Sequence, residues 1–200
     1  MALRSVRHPG PSSWHDRVVR PSVAAVHHLL THLKPGDRIE AAHRAESLRW
    51  LDSTDDVFRR VKPATPARHL VSYVVPVDPA DGSVLLVDHV NAGLWLPPGG
   101  HVEPDEHPLR TAHREAREEL GIGPERFHDV PSFLTITQTV GIDAGHTDVS
   151  LWFVVDCGRD APFTIDHDEF RAARWWTPSE LDSADPRRFD PHLFRFRAKF

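Results

Sequence analysis

The sequence is poor in cysteine, lysine, tyrosine and long apolar runs. Cys157 is the only cysteine among 200 residues, which excludes an intrachain disulfide and any cysteine-cluster zinc site. A reducing cytoplasm suits such a chain. No run approaches the roughly 20 apolar residues that span a bilayer. The arginine-bearing opening MALRSVRHPGPSSWHDRVVR lacks the apolar centre of a signal peptide. Lysine occurs only at positions 34, 62 and 199, and the net charge of −5 gives no general pull toward nucleic acid or an anionic membrane. An anionic ligand would need a local basic patch or bound cations.

What is present divides the chain. Residues 1–20 carry Pro9, Gly10, Pro11 and paired serines and read as a flexible leader. Residues 21–62 read as an α-helical extension. Pro21 suits a first helical turn, Val23, Val26, Leu29, Leu30 and Leu33 recur at helical spacing, and Pro35 and Gly36 close that helix. Asp37 caps a second helix, RIEAAHRAESLRWLDS, and Thr54 is expected to cap a short third one through Val57 and Phe58. After Pro66 the texture turns β-rich. HLVSYVVPV, SVLLVDH, SFLTITQTV, DVSLWFVVD and ARWWT read as strands, TPSELDS as a helix capped by Thr177, and the tail from Pro191 as a last helix. Strands interleaved with helices predict a mixed α+β domain over residues 66–200.

Between Gly99 and Ile122 the chain crowds six carboxylates: GGHVEPDEHPLRTAHREAREELGI. On a helix from about Leu109 to Leu120, one side carries Leu109, Ala112, Ala116 and Leu120. Glu115, Glu118 and Glu119 share an adjacent side, because residues three and four apart are neighbours. Three like charges there repel, and a divalent cation would relieve them; carboxylate oxygens are the ligands magnesium prefers. A solvated face with arginine partners would explain REAREEL alone. The upstream spacing decides between the two. From Gly100, five residues precede Glu106, seven more lead to Arg114, and EAREELGI follows.

That pattern resembles the signature box of the Nudix hydrolases, with Gly100, Glu106, Arg114, Glu115, Glu118, Glu119, Gly121 and Ile122 all matching. Ala116 is smaller than the aliphatic residue common at its position. The resemblance covers about residues 68–182, and the helical extension is similar to that of one subgroup. It implies an α/β/α sandwich with a mixed sheet between helices, and a magnesium-dependent, or manganese-dependent, hydrolase of nucleoside diphosphates linked to another moiety. It makes Glu115, Glu118 and Glu119 metal ligands with the Gly99 carbonyl as an extra one, Glu115 alternatively orienting the water. Glu106 and Arg114 become an ion pair that fixes the box, alongside Gly100 and Gly121. Glu169 is the expected ligand or general base from outside the box; Asp148 is a weaker prospect, more in keeping with a turn at a strand entry. Arg68, His89, Gln138 and Trp176 are the candidate substrate contacts, although a structural role is the commoner one for such residues. Trp95 is expected to pack, and the His28–His32 pair to be a plain helix face.

Substrate markers known from the family are missing. The place where ADP-ribose hydrolases carry proline is Thr137, and the region where dinucleoside-polyphosphate enzymes carry tyrosine holds Gln138, Thr139 and Val140. A nucleoside triphosphate-type substrate, or an unusual diphosphate compound, remains by elimination. Three other readings stay open: a ligand-sensing regulatory module of the same fold, an isopentenyl-diphosphate-isomerase-like enzyme, for which Cys157 lies in no matching motif, and a structural or interaction protein, against which the intact box argues. The extension leaves room for a homodimer.

Overall fold

The computed structural model describes residues 20–62, 64–123, 126–142 and 144–200; the leader, apart from Arg20, lies outside them. Helices α1 (Pro21–His32) and α2 (Arg38–Ser53) come first. Then follow β1 (Arg68–Val77), β2 (Val84–His89), β3 (Trp95–Leu96), β4 (Gly99–His101), α3 (Pro108–Leu120), β5 (Phe133–Gln138), β6 (Thr147–Asp156), β7 (Phe170–Trp176), α4 (Pro178–Ser183) and α5 (Leu193–Arg197). The mixed sheet runs β3-β2-β1-β6-β5, with β7 also on β2 and β4 on β1. The β1–β6 pair is parallel, and His69 lies opposite Asp148. The other pairs are antiparallel.

Strand alternation explains the layers. In β6, Val149, Leu151, Phe153 and Val155 face one core with α1, α2 and α3. Trp152 and Val154 face the other with α4, α5 and Phe189. Both faces are apolar because both are covered, which gives the expected α/β/α sandwich. The third helix is not formed: Val57 and Phe58 are buried in an irregular segment, and the Val57 carbonyl accepts from the Leu70 amide instead of closing a helical turn. A 3₁₀ turn at Pro186–Arg188 and the short β3 and β4 are additions to the predicted set.

The extension is welded to the sheet. Val23, Val26, Leu30 and Leu51 belong to the same apolar cluster as Leu70 and Leu134. The Glu40 carboxylate is fully buried, accepting from the Gly36 and Leu134 amides and from Lys199 Nζ at 2.8 and 3.0 Å. His43 Nδ1 accepts from the Ile136 amide at 3.2 Å. Asp37 caps α2 by accepting from the Glu40 amide at 2.7 Å, and the Arg195 guanidinium grips it at 2.7 and 2.8 Å.

Arg195 holds the Asp37 carboxyl down at about 2, from an ordinary 3.8. A depressed acid stabilises the fold above its unfolded pKa and loses that contribution as pH falls through its folded one. Asp37→Ala is therefore expected to lower stability by about 1 kcal/mol at neutral pH. The gap to wild type closes between roughly pH 4 and pH 2. Urea denaturation at pH 7 and pH 3 checks this; an equal deficit at both would refute it.

Candidate active site

Helix α3 is built to hold a carboxylate cluster still. Pro108 and Leu109 open it, with Ser72 Oγ donating to the Pro108 carbonyl at 2.9 Å. Ala112, Ala116 and Leu120 are buried against the sheet. Gly121, at φ 70°, ends it, and the Gly121 and Ile122 amides return to the Arg117 and Ala116 carbonyls. The glutamates beside this apolar stripe are thereby carried against β4.

Both glycines of β4 are needed there. Gly99 sits at φ 145°, and a Cβ would come within 2.2 Å of the Ser72 carbonyl oxygen. A Cβ on Gly100 would fall 2.2 Å from Glu115 Oε1. The Gly99 amide donates to Glu119 Oε2 at 2.9 Å. Glu106 and Arg114 form the anticipated brace: Arg114 Nη2 lies 3.2 Å from Glu106 Oε2, which also accepts from Thr111 Oγ1 at 2.7 Å. Arg114 further reaches Glu115 at 2.7 Å and Glu118 at 3.3 Å.

Glu115 and Glu119 are buried, while Glu118 is about half exposed. Burial raises the Glu115 carboxyl, against the pull of Arg114. Burial, with the charges of Glu115 and Glu169 added, pushes Glu119 up to about 9. Glu169 is exposed on the segment entering β7, close enough for its charge to reach both buried glutamates. Among the described residues, no cation pairs with Glu119. Two buried carboxylates, only one of them reached by arginine, beside the half-exposed Glu118 are an all-oxygen donor set fit for a hard divalent cation.

A cavity of about 660 Å³ borders the same glycines. Gly99, Gly100, His89 and Gln138 line it, and its wall carries both signs of charge, Arg59 and Arg187 with Asp148 and Asp190; Arg187 is paired with Asp185 at 2.8 Å. Arg68 and Trp176 do not line it, which corrects two candidate contacts. Arg68 pairs with Glu46 at 2.9 Å and lies over the Trp50 ring, while Trp176 is 6% exposed and packs edge-on against Trp95 and Phe189. Trp95 packs, as anticipated, and the His28 and His32 rings meet at a tilt on an exposed helix face, His32 Nδ1 bonding to the His28 carbonyl. Cys157 is buried just past β6 and is not part of the cavity wall. Burial raises its thiol.

Sequence reasoning passed over one grouping entirely. His69, His101, His146 and Asp148 meet on the cavity side of the sheet, each offering a ligand atom within 4.8 Å of the others. The one available signal was the alternate spacing of His146 and Asp148, which puts both on one face. His69 and His101 join them only through the β1–β6 and β1–β4 registers.

A sequence model of the NUDIX domain matches residues 67–200. An uncharacterized Nudix hydrolase, YfcD of Salmonella typhi, is 30% identical over 152 residues, covering 69% of this chain and 77% of that protein. A MutT-like protein of Streptomyces ambofaciens is 29% identical over 58% of this chain and 70% of its own length. Among solved structures, the NUDIX domain of Shewanella oneidensis NrtR complexed with ADP ribose superposes with a TM-score of 0.53 at 18% identity, over 70% of this chain and 91% of that one. These matches, with the fold and the box geometry, place the chain in the Nudix hydrolase family, whose members are pyrophosphohydrolases acting on nucleoside diphosphate-linked compounds and generally use divalent metals.

Proposed function

We propose that the protein hydrolyses the phosphoanhydride of a nucleoside triphosphate-type substrate by in-line attack of water on phosphorus. The carrying observation is the convergence of Glu115 and Glu119, buried side by side with Glu118 and Glu169 near them, behind the glycine strand, whose Gly99 and Gly100 line the cavity while the four carboxylates do not. Glu115, Glu118, Glu119 and the Gly99 carbonyl would hold magnesium, with manganese as the alternative, and the bound cation would neutralise the diphosphate and make its water more acidic. Glu169 is the proposed base, being exposed and not paired with arginine in the described ion pairs. Arg114 keeps Glu115 and Glu118 in place without touching the reacting atoms. Gln138 and His89 stand on the wall where a base and phosphates would lie. The cavity wall carries Arg59 and Arg187, the latter paired with Asp185, together with Asp148 and Asp190, so the bound cation would have to counter most of the substrate charge.

The test is a panel of nucleoside triphosphates, dinucleotides and nucleotide sugars, assayed with magnesium for phosphate and pyrophosphate release. Pyrophosphate from a triphosphate is the expected product, and Glu118→Gln should cut the rate by roughly 10³-fold, the equivalent of several kcal/mol of lost charge stabilisation. No turnover of any diphosphate compound, or full activity in Glu118→Gln, would refute the reading.

A further inference from the structure

We propose that His69, His101, His146 and Asp148 form a second metal centre bordering the cavity, of other residues than the box carboxylates and suited to a borderline transition cation, zinc(II) foremost. The four side chains converge from three strands and a loop. Asp148 Oδ1 lies 3.2 Å from His69 Nε2, 3.4 Å from His146 Nε2 and 4.0 Å from His101 Nε2. Three imidazoles therefore direct the same ring nitrogen at one carboxylate oxygen. His69 and His146 are buried at 0% and 3% exposure, and His101 and Asp148 are half-buried at the cavity.

The outer contacts set the ring chemistry. His69 Nδ1 is 2.8 Å from the Pro66 carbonyl, an acceptor only, so Nδ1 carries the proton and donates. A neutral His69 then turns its Nε2 lone pair toward an anionic oxygen, an arrangement that repels unless a cation lies between. His146 Nδ1 lies 3.2 Å from Thr139 Oγ1, a hydroxyl that can donate or accept, so the contact orients the ring without fixing its tautomer. Metal-bound histidines are held in this way, with the second nitrogen on a carbonyl or hydroxyl. His69 Nε2, His101 Nε2 and Asp148 Oδ1 are buried without a hydrogen-bond partner. Three unpartnered polar atoms aimed at one point are costly to bury together.

The donor set selects the ion. Three imidazole nitrogens and one carboxylate oxygen suit zinc or its first-row neighbours, whereas magnesium prefers oxygen and the all-carboxylate box. Four zinc ligands stand about 3.3 Å apart in a tetrahedron. The four ligand atoms lie within 4.8 Å of one another, so metal binding would draw them closer, with His101 and Asp148 the partly exposed pair. An alternative is a proton in place of the metal, His69 as an imidazolium paired with Asp148.

Metal analysis of the full chain distinguishes the two. Protein stripped with chelator is titrated with zinc, and with cobalt(II) as a visible probe, in wild type, Glu119→Gln, His101→Ala and Asp148→Asn. Wild type and Glu119→Gln should each retain one equivalent of zinc and give the same intense tetrahedral cobalt bands. His101→Ala and Asp148→Asn should weaken zinc at least about 100-fold, more than loss of an outer contact does. Circular dichroism checks their folding. Should either unfold, the wild-type spectrum decides, since the weak bands of an octahedral all-oxygen site would overturn the proposal. Absence of stoichiometric zinc in wild type, or its loss in Glu119→Gln and not in the histidine and aspartate variants, would overturn it too.

Discussion

Glu119→Gln is expected to cut turnover by roughly 10³-fold while making the metal-free protein more stable, on the order of 1–3 kcal/mol at pH 8. The two effects share one cause. Glu119 is 5% exposed, and burial with the neighbouring acids raises its carboxyl to about 9. An acid whose folded pKa lies above its unfolded 4.5 helps the fold below the lower value. It withdraws that help as pH climbs toward the higher one. The amide keeps the shape, and its oxygen can still accept from the Gly99 amide, but it has no charge to bury and is a poorer cation ligand. Urea denaturation in chelator from pH 5 to pH 9 should show a falling slope in wild type and a flatter one in Glu119→Gln. Adding magnesium should reverse the order of stabilities at pH 8. Parallel slopes would rule out Glu119 as the strained group.

Glu40→Ala should lower stability by about 3–5 kcal/mol, although Glu40 is far from the chemistry. Its carboxylate is fully buried and serves three donors from three parts of the chain: the Gly36 amide before α2, the Leu134 amide of β5 and the Lys199 ammonium near the C-terminus. Removal leaves a cation and two amides without their acceptor in an apolar setting, the case in which breaking a buried pair costs most. The companion variant Glu40→Gln restores the acceptor for the amides but not the charge, so its loss should be smaller. Lys199→Met combined with Glu40→Leu should recover much of the deficit. Chemical denaturation of the four proteins measures this, and a Glu40→Ala protein within 1 kcal/mol of wild type would contradict it.

The sequence made the box legible because its information is local. Gly100, Glu106, Arg114 and the three glutamates stand at fixed gaps, and helical geometry alone groups Glu115, Glu118 and Glu119. Asp37 and Thr177 marked helix starts for the same reason: a cap acts on amides two or three residues away, and both make those bonds. Where the outcome depended on pairing across the sheet, the pattern fell short. Strands of two and three residues, β3 and β4, have no alternation to detect. Trp176, a candidate contact by its strand position, turned out to face a core because the sheet is covered on both sides, Trp175 packing on one and Trp176 on the other. The segment after Thr54 looked helical until the Leu70 amide claimed the Val57 carbonyl. His69, His101 and His146 each read as an ordinary histidine, since only the strand registers bring them together.

The contacts of α2 with β5 have a consequence for how the molecule behaves in company. Strand β5 ends the sheet path, and its outward amides at Leu134 and Ile136 would otherwise offer a template on which another extended chain could add. Glu40 and His43 occupy both of those amides from the helix above. The helical extension thus serves as a guard rail for the sheet, and a chain shortened to the hydrolase domain would present a sticky margin to its neighbours.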